Sequence, residues 1–289
     1  MSVHEPPKIL LPIDLYIPAP GSLLIMHHEL NIVLDAVKLA GTRVLQLAQE
    51  GFDVQRKPDH SPVTSADLAV NDILQNALMK HFPDDGWMSE ESPDTAERLQ
   101  RSRVWIIDPI DGTSYFMKGV PQYSISVALV KNQQPILGVV YNPATEELFT
   151  ALAGQGLCVN GEPATSNESA NEPLTILVNP SRLGRKEFKA FENHARLQPM
   201  GSIAYSLALV AAGKADGTIN FDRLHEWDIA AGWLLVQESQ GLVTDSLRDP
   251  LPFNQPDPIS YGVLAARPGA REPFESLVSR RQSPTPNSA

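Results

Sequence analysis

The 289-residue chain has a single cysteine, Cys158. One thiol cannot close an intrachain disulfide, which is compatible with a reducing cytoplasm. Leu157-Cys158-Val159 reads as a strand, so this thiol is expected to pack rather than react. No apolar run approaches the ~18 residues of a membrane span. Positive charge is also scarce: 23 Lys and Arg stand against 34 Asp and Glu, a formal net charge of −11. Without a basic stripe to release counterions, a nucleic acid polymer is not an expected partner. A small phosphorylated metabolite is compatible with that charge, because bound metal ions invert the local field. There is no internal repeat. Residues 1–25 lack the basic start and continuous apolar core of a signal peptide. They are rich in proline, with short apolar clusters at 9–12 and 15–17, and read as an extension with Met26 as an alternative start.

What is present suffices for one large or two modest domains: 42% of residues are hydrophobic and 20% charged. Leu30, Val33, Leu34, Val37, Gly41, Val44, Leu45 and Ala48 recur at helical spacing until Gly51, predicting a helix that begins just after Met26. After a segment containing Pro58 and Pro62, Thr64 or Ser65 can cap a second helix whose apolar face is Leu68, Ile73, Leu74, Ala77 and Leu78. Residues 124–130 and 136–141 form a predicted hairpin around 131–134, and 148–152 and 157–159 extend an antiparallel sheet. The stretch 165–173 has linker composition. Beyond it, strands at 174–178, 242–244 and 261–265 alternate with helices at 186–195, 202–212 and 228–240. The predicted division is a Pro-rich extension (1–25), an α+β half (26–170), an α/β half (171–270) and a disordered tail (271–289). Trp105, Trp227 and Trp233 are expected to pack in the core.

Three acidic motifs carry the chemistry. Residues 105–113 read Trp-Ile-Ile-Asp-Pro-Ile-Asp-Gly-Thr. The apolar run ending at Ile107 has the character of a buried strand, Pro109 is expected to end its ladder, and Gly112 permits a sharp turn. Asp108 and Asp111 thus emerge together. Crowded carboxylates are tolerated best with cations between them, and oxygen ligands suit Mg²⁺ or Mn²⁺ rather than zinc. Alone, such a pair reads first as a polar turn. Upstream, Glu90 and Glu91 follow an apolar stretch. Downstream, Asp228 opens a helical segment, Glu226-Trp-Asp-Ile-Ala-Ala-Gly232, where a helix cap is the plain alternative. The D-x-D-G-T motif of haloacid-dehalogenase-type phosphatases is excluded, since Pro109 and Ile110 separate the aspartates and the motif lies more than a third of the way along.

In this order the motifs resemble those of the inositol monophosphatase superfamily of Mg²⁺-dependent phosphatases: an acidic pair, then D-P-[IL]-D-G-T, then W-D-x-[AS]-[AG]-G. The resemblance runs from about residue 30 to about 268 and takes in 61–67, 138–143 and 201–204. It implies a layered α-β-α-β-α sandwich with the site between two sub-domains. It implies one ion on Glu90, Asp108 and the Ile110 carbonyl, and a second on Asp108, Asp111 and Asp228. Glu91 and Asp67 would act through water or on a third ion. Thr113 matches the residue that orients and deprotonates the attacking water, and Lys57 the family's loop lysine. Inhibition by Li⁺ and either a monomer or a homodimer are also implied. The Gly112 and Thr113 amides are expected at the phosphate, and Gly201, Ser202, Ile203 and Ala204 along the rest of the substrate. All five of Glu90, Asp108, Asp111, Thr113 and Asp228 are present, which disfavours a non-catalytic metal- or phosphate-binding protein. Residues 94–99, 103–108 and 126–130 look more like the CysQ-type branch, the 3′(2′),5′-bisphosphate nucleotidases. On that reading the substrate is phosphoadenosine phosphate, Phe221 or Tyr205 stacks on adenine and Arg223 meets the 5′-phosphate. Inositol 1-phosphate or another sugar phosphate is the alternative.

Overall fold

Helical periodicity in the first third of the chain becomes two long helices packed side by side, α1 (Ser22–Glu50) and α2 (Ser65–His81), joined through a small antiparallel ribbon of β1 (Val54–Arg56) and β2 (Pro62–Thr64). The computed structural model describes residues 22–164 and 169–280. Helix α1 starts at Ser22, so residues 22–25 are helical rather than part of an extension, and the rest of that predicted extension lies outside the described residues. Thr64 caps α2, whose buried stripe is Ala66, Val70, Leu74 and Leu78 at four-residue spacing. Leu68, expected on that face, is 42% exposed.

The next segment builds a seven-stranded sheet from β3 (Gly86–Ser89), β4 (Arg103–Asp111), β5 (Ser124–Lys131), β6 (Gln134–Asn142), β7 (Glu147–Leu152), β8 (Leu157–Val159) and β9 (Glu162–Pro163), with the short helix α3 (Thr113–Phe116) between β4 and β5. The strands lie in chain order; β3 and β4 are parallel and the rest antiparallel. The β5–β6 hairpin turns at Asn132 and Gln133, both at positive φ, the geometry whose twist matches that of the flanking strands.

The remaining elements are β10 (Leu174–Val178), α4 (Lys186–Glu192), β11 (Ala195–Pro199), α5 (Ile203–Ala211), β12 (Gly217–His225), α6 (Glu226–Glu238), β13 (Leu242–Thr244), β14 (Ile259–Ala266) and α7 (Arg271–Ser279). They form a five-stranded mixed sheet in the order β11-β10-β12-β14-β13. The predicted helix over 186–195 stops at Glu192, and Ala195 opens a strand instead. Strand β12 is central yet was not foreseen, because Gly-Thr-Ile-Asn-Phe-Asp-Arg-Leu-His lacks clean alternation. The predicted disordered tail is corrected for 271–279, a helix that buries Phe274, Leu277 and Val278. Residues 281–289 and 165–168 lie outside the described residues.

Layering follows from which faces are apolar. Helices α1 and α2 cover one face of the seven-stranded sheet; α5 and α6 pack on the other and are roofed by the five-stranded sheet. The outer face of that second sheet buries side chains of α4 and α7. This is the α-β-α-β-α sandwich. Helix α5 (Ile-Ala-Tyr-Ser-Leu-Ala-Leu-Val-Ala) is apolar nearly all round, as a helix between two sheets must be. Gly232 of α6 permits its close crossing with α5, since a Cβ there would sit 2.6 Å from Leu207 Cβ. One continuous core runs from α1 through both sheets, so α5 and α6 of the second half complete the core of the first. Trp105 and Trp233 are buried as expected, whereas Trp227 is half-buried and stacks on His225 at 4.3 Å between ring centroids. Cys158 is a free thiol on β8.

Candidate metal and phosphate site

On a regular strand, residues three apart face opposite sides. Asp108 and Asp111 nevertheless point to one site, because β4 bulges between them: Asp108 pairs with Ser126 and Asp111 with Ser124, three residues against two. Proline does not end the ladder, as its position suggested; Pro109 and Ile110 lie in the bulge, and pairing resumes at Asp111. Asp108 Oδ1 accepts a hydrogen bond from the Ile110 N–H at 3.1 Å.

Four helix starts surround these carboxylates. Asp67, third residue of α2, accepts from Thr64 N at 2.8 Å and Thr64 Oγ1 at 2.6 Å, so it closes a capping box while its other oxygen accepts from Thr113 Oγ1 at 3.0 Å. Thr113 opens α3 and also lies 3.0 Å from the Ile110 carbonyl. Ser202 caps α5; its hydroxyl and the Ala204 N–H each donate to Asp111 Oδ2 at 2.6 Å. Asp228, third residue of α6, accepts from His225 N at 2.8 Å. Unsatisfied N–H groups and the positive dipole end of each helix face an acidic centre that would otherwise repel itself.

Asp108, Asp111 and Asp228 each offer an oxygen within 4.8 Å of the other two. None of the three pairs with Lys or Arg among the described residues. Burial, then repulsion from Glu90 and from one another, pushes Asp108 and Asp228 well above the usual carboxylate range. Burial takes Asp111 to about 7 against the donors from Ser202 and Ala204. Burial also raises Asp67, and takes Glu91 to about 7. Three mutually repelling, all-oxygen ligands, Asp108 and Asp111 buried and Asp228 half-buried, fit Mg²⁺ or Mn²⁺ by charge and by donor type. Lys57, on the turn between β1 and β2, sets its ammonium 2.7 Å from both Glu90 Oε1 and Glu91 Oε1. Burial works to lower its pKa, but the two glutamates outweigh that and raise it.

Beside this cluster opens a cavity of about 410 Å³ whose lining includes Glu90, Gly112, Thr113, Tyr115, Lys118 and Gly201. Of the expected substrate contacts, Gly112, Thr113 and Gly201 line it. Ser202, Ile203 and Ala204 do not: they are buried, and Ser202 and Ala204 hold Asp111 from behind. Phe221 lies elsewhere, 5.6 Å from Phe188 and 6.5 Å from Phe191 between ring centroids, so it is not free to stack on a base. Tyr205 gives its hydroxyl to Glu147, and Arg223 is an exposed residue on β12. Asp94, part of the CysQ-like phrase, chelates buried Arg98, which reaches Asn254 and the Gln255 carbonyl; the N–H groups of those two residues donate to Glu226 beside Asp228. That phrase is therefore structural. Tyr115, Lys118, Asn179 and Ser181 were missed as cavity residues. Tyr115 and Lys118 follow the D-P-I-D-G-T turn, but a four-residue helix leaves no periodicity to reveal it.

Gly112 tests how tightly this turn is specified. Its φ is +94°, and a Cβ there would lie 2.8 Å from the Gln122 carbonyl. Gly112→Ala is expected to cost about 2 kcal/mol or more in urea unfolding, from the left-handed backbone and the collision together. An unchanged midpoint would show that the turn accommodates a side chain.

A match to the model for the inositol monophosphatase family spans residues 26–283. The chain belongs to that family. Its members are metal-dependent phosphatases, and so is this protein. "Nus factor SuhB" of Escherichia coli is 33% identical over 231 residues, covering 76% of this chain and 86% of that protein. "Inositol monophosphatase 1" of Solanum lycopersicum is 31% identical over 265 residues, covering 86% and 94%. Among solved structures, an IMPase from Thermotoga maritima superposes with a TM-score of 0.76 at 29% identity, covering 87% of this chain and 97% of its own. These names favour the inositol-phosphate alternative over the bisphosphate nucleotidase expected first.

Proposed function

We propose that this phosphatase hydrolyses phosphate monoesters of cyclic polyols, with inositol 1-phosphate as the reference substrate. The observation that carries the reading is the 410 Å³ cavity opening directly on Thr113 and Glu90, beside the Asp108–Asp111–Asp228 cluster. Its volume suits a ring-sized alcohol. The name of the tomato relative supports the polyol, as does the engagement of Phe221 and Tyr205 elsewhere.

Glu90, Asp108 and the Ile110 carbonyl would hold one divalent ion, and Asp108, Asp111 and Asp228 a second; Asp67 and Glu91 would support a third through water. When bound, such ions acidify an attacking water and withdraw charge from the phosphate. The chain's own part is proton handling and alignment. Thr113 Oγ1 donates its proton to Asp67, which leaves an oxygen lone pair to accept from the attacking water. Asp67, made more basic by burial, then takes the proton, while its second oxygen stays anchored on Thr64. Ser202 and Ala204 fix Asp111, and the His225 N–H fixes Asp228. No side chain is needed as a nucleophile, and Li⁺ is expected to inhibit by occupying an ion position.

Phosphate release in Mg²⁺ from inositol 1-phosphate and adenosine 3′-phosphate compares ring and nucleoside at equal charge. The reading predicts a kcat/KM at least about tenfold higher for inositol 1-phosphate. Preference for the nucleotide would overturn it and restore the nucleotidase.

A further inference from the structure

The lining of the cavity beside the acidic cluster carries a cation with no assigned partner. Lys118 is the one Lys or Arg among the described lining residues, and it makes no ion pair there; Lys57 is taken up by Glu90 and Glu91, and Arg182 by Asp222. Its ammonium lies 5.4 Å from the centre of the Tyr115 ring. That ring is itself fixed against Gly201, where any Cβ would collide with it. The ring face biases this exposed ammonium towards the cavity lining. It follows Thr113 by five residues, just beyond the end of α3, and both side chains line the same cavity. Neutral donors from Asn179 and Ser181 line the same cavity. Neutral donors suffice for hydroxyls, whereas a charged donor bonds an anion about twice as strongly as a neutral one.

We infer that Lys118 is a specificity-determining residue, which selects phosphate esters whose leaving alcohol bears a second anionic group on the far side from the scissile phosphate. This rests on the polyol-phosphatase reading for the identity of the cavity, but not for the ring it holds. The second anion sits on the ammonium throughout the reaction, so its contribution is to binding and appears in KM rather than in kcat.

The experiment measures kcat and KM in Mg²⁺ for two matched pairs, inositol 1-phosphate with inositol 1,4-bisphosphate, and adenosine 3′-phosphate with adenosine 3′,5′-bisphosphate. Wild type, Lys118→Gln and Lys118→Glu are compared. Wild type is expected to favour the bisphosphate of its better pair by about tenfold in kcat/KM, and to lose that preference at high salt as the charge is screened. Lys118→Gln should bring the ratio to about one through KM, and Lys118→Glu should reverse it. Lys118 is exposed, and an unchanged melting temperature will show that both variants fold. A ratio that is the same in all three proteins overturns the inference even if inositol 1-phosphate is a good substrate. A ratio that responds to Lys118 only in the adenosine pair supports the inference while overturning the polyol reading.

Discussion

Asp108→Asn is expected to reduce phosphate release by about a thousandfold or more, equivalent to roughly 4 kcal/mol of lost transition-state stabilisation. Asp108 is the one carboxylate assigned to both proposed ions, so its loss would weaken both at once. Asparagine is nearly isosteric and retains an oxygen for the Ile110 N–H, so the bulge should survive. The same substitution removes one of three crowded carboxylates that repel each other. In chelator at pH 8 the variant should therefore melt higher than the wild type, while Mg²⁺ should raise its melting temperature far less. Loss of activity with a gain in metal-free stability would separate a ligand from a merely structural aspartate. A variant that keeps its activity in Mg²⁺ would remove Asp108 from the metal site.

The second large effect is on pH. In chelator, stability is expected to fall as pH rises from about 5 to about 8, opposite to the acid denaturation of most proteins. Asp111 titrates near 7 in the folded protein, against 3.8 for a free carboxylate. Between those values the folded chain keeps a proton that the unfolded chain gives up, so raising the pH favours unfolding. Asp108, Asp228 and Asp67 act in the same direction, and Glu91 and Glu226 do so towards about 7. From pH 5 upward, ionising Asp111 costs the fold on the order of 3 kcal/mol at 1.36 kcal/mol per decade, enough to lower the melting temperature by about 6 °C in a chain of this size. Millimolar Mg²⁺ should restore most of the loss, because an ion binding only the folded state stabilises it by mass action. The window starts at pH 5 to stay clear of Asp216. Burial works to raise that carboxyl, but N–H donors from Thr175 and Asn171 and the Arg267 guanidinium hold it below the usual range, so its contribution is lost only in stronger acid. Melting temperatures in chelator that climb from pH 5 to 8 would contradict the repulsion.

The acidic centre was legible because the order of its three motifs resembles that of a known family, although each motif alone has a plainer reading. The Asp108–Asp111 pair and the Asp228 helix start are each written within four residues, whereas the Thr64–Asp67 capping box and the bulge at Pro109 emerged only with the structure. The hairpin at 131–134 and the buried α5 and α6 announced themselves by composition. What was not legible depends on distant packing. Ser202 and Ala204 look like substrate contacts until α5 is placed behind Asp111. Phe221 looks free until Phe188 and Phe191 close on it. β12 shows no period because it is a central strand covered on both faces, with its pairing to β14 shifted between Asn220 and Arg223. The cavity wall at Lys118 joins segments more than sixty residues apart, which no spacing rule connects.

The most direct test of the central claim is anomalous scattering from crystals soaked in Mn²⁺. The account predicts density among the carboxylates of Asp108, Asp111 and Asp228, lost in the Asp108→Asn variant. Anomalous density confined to other sites in crystals of active enzyme would contradict it.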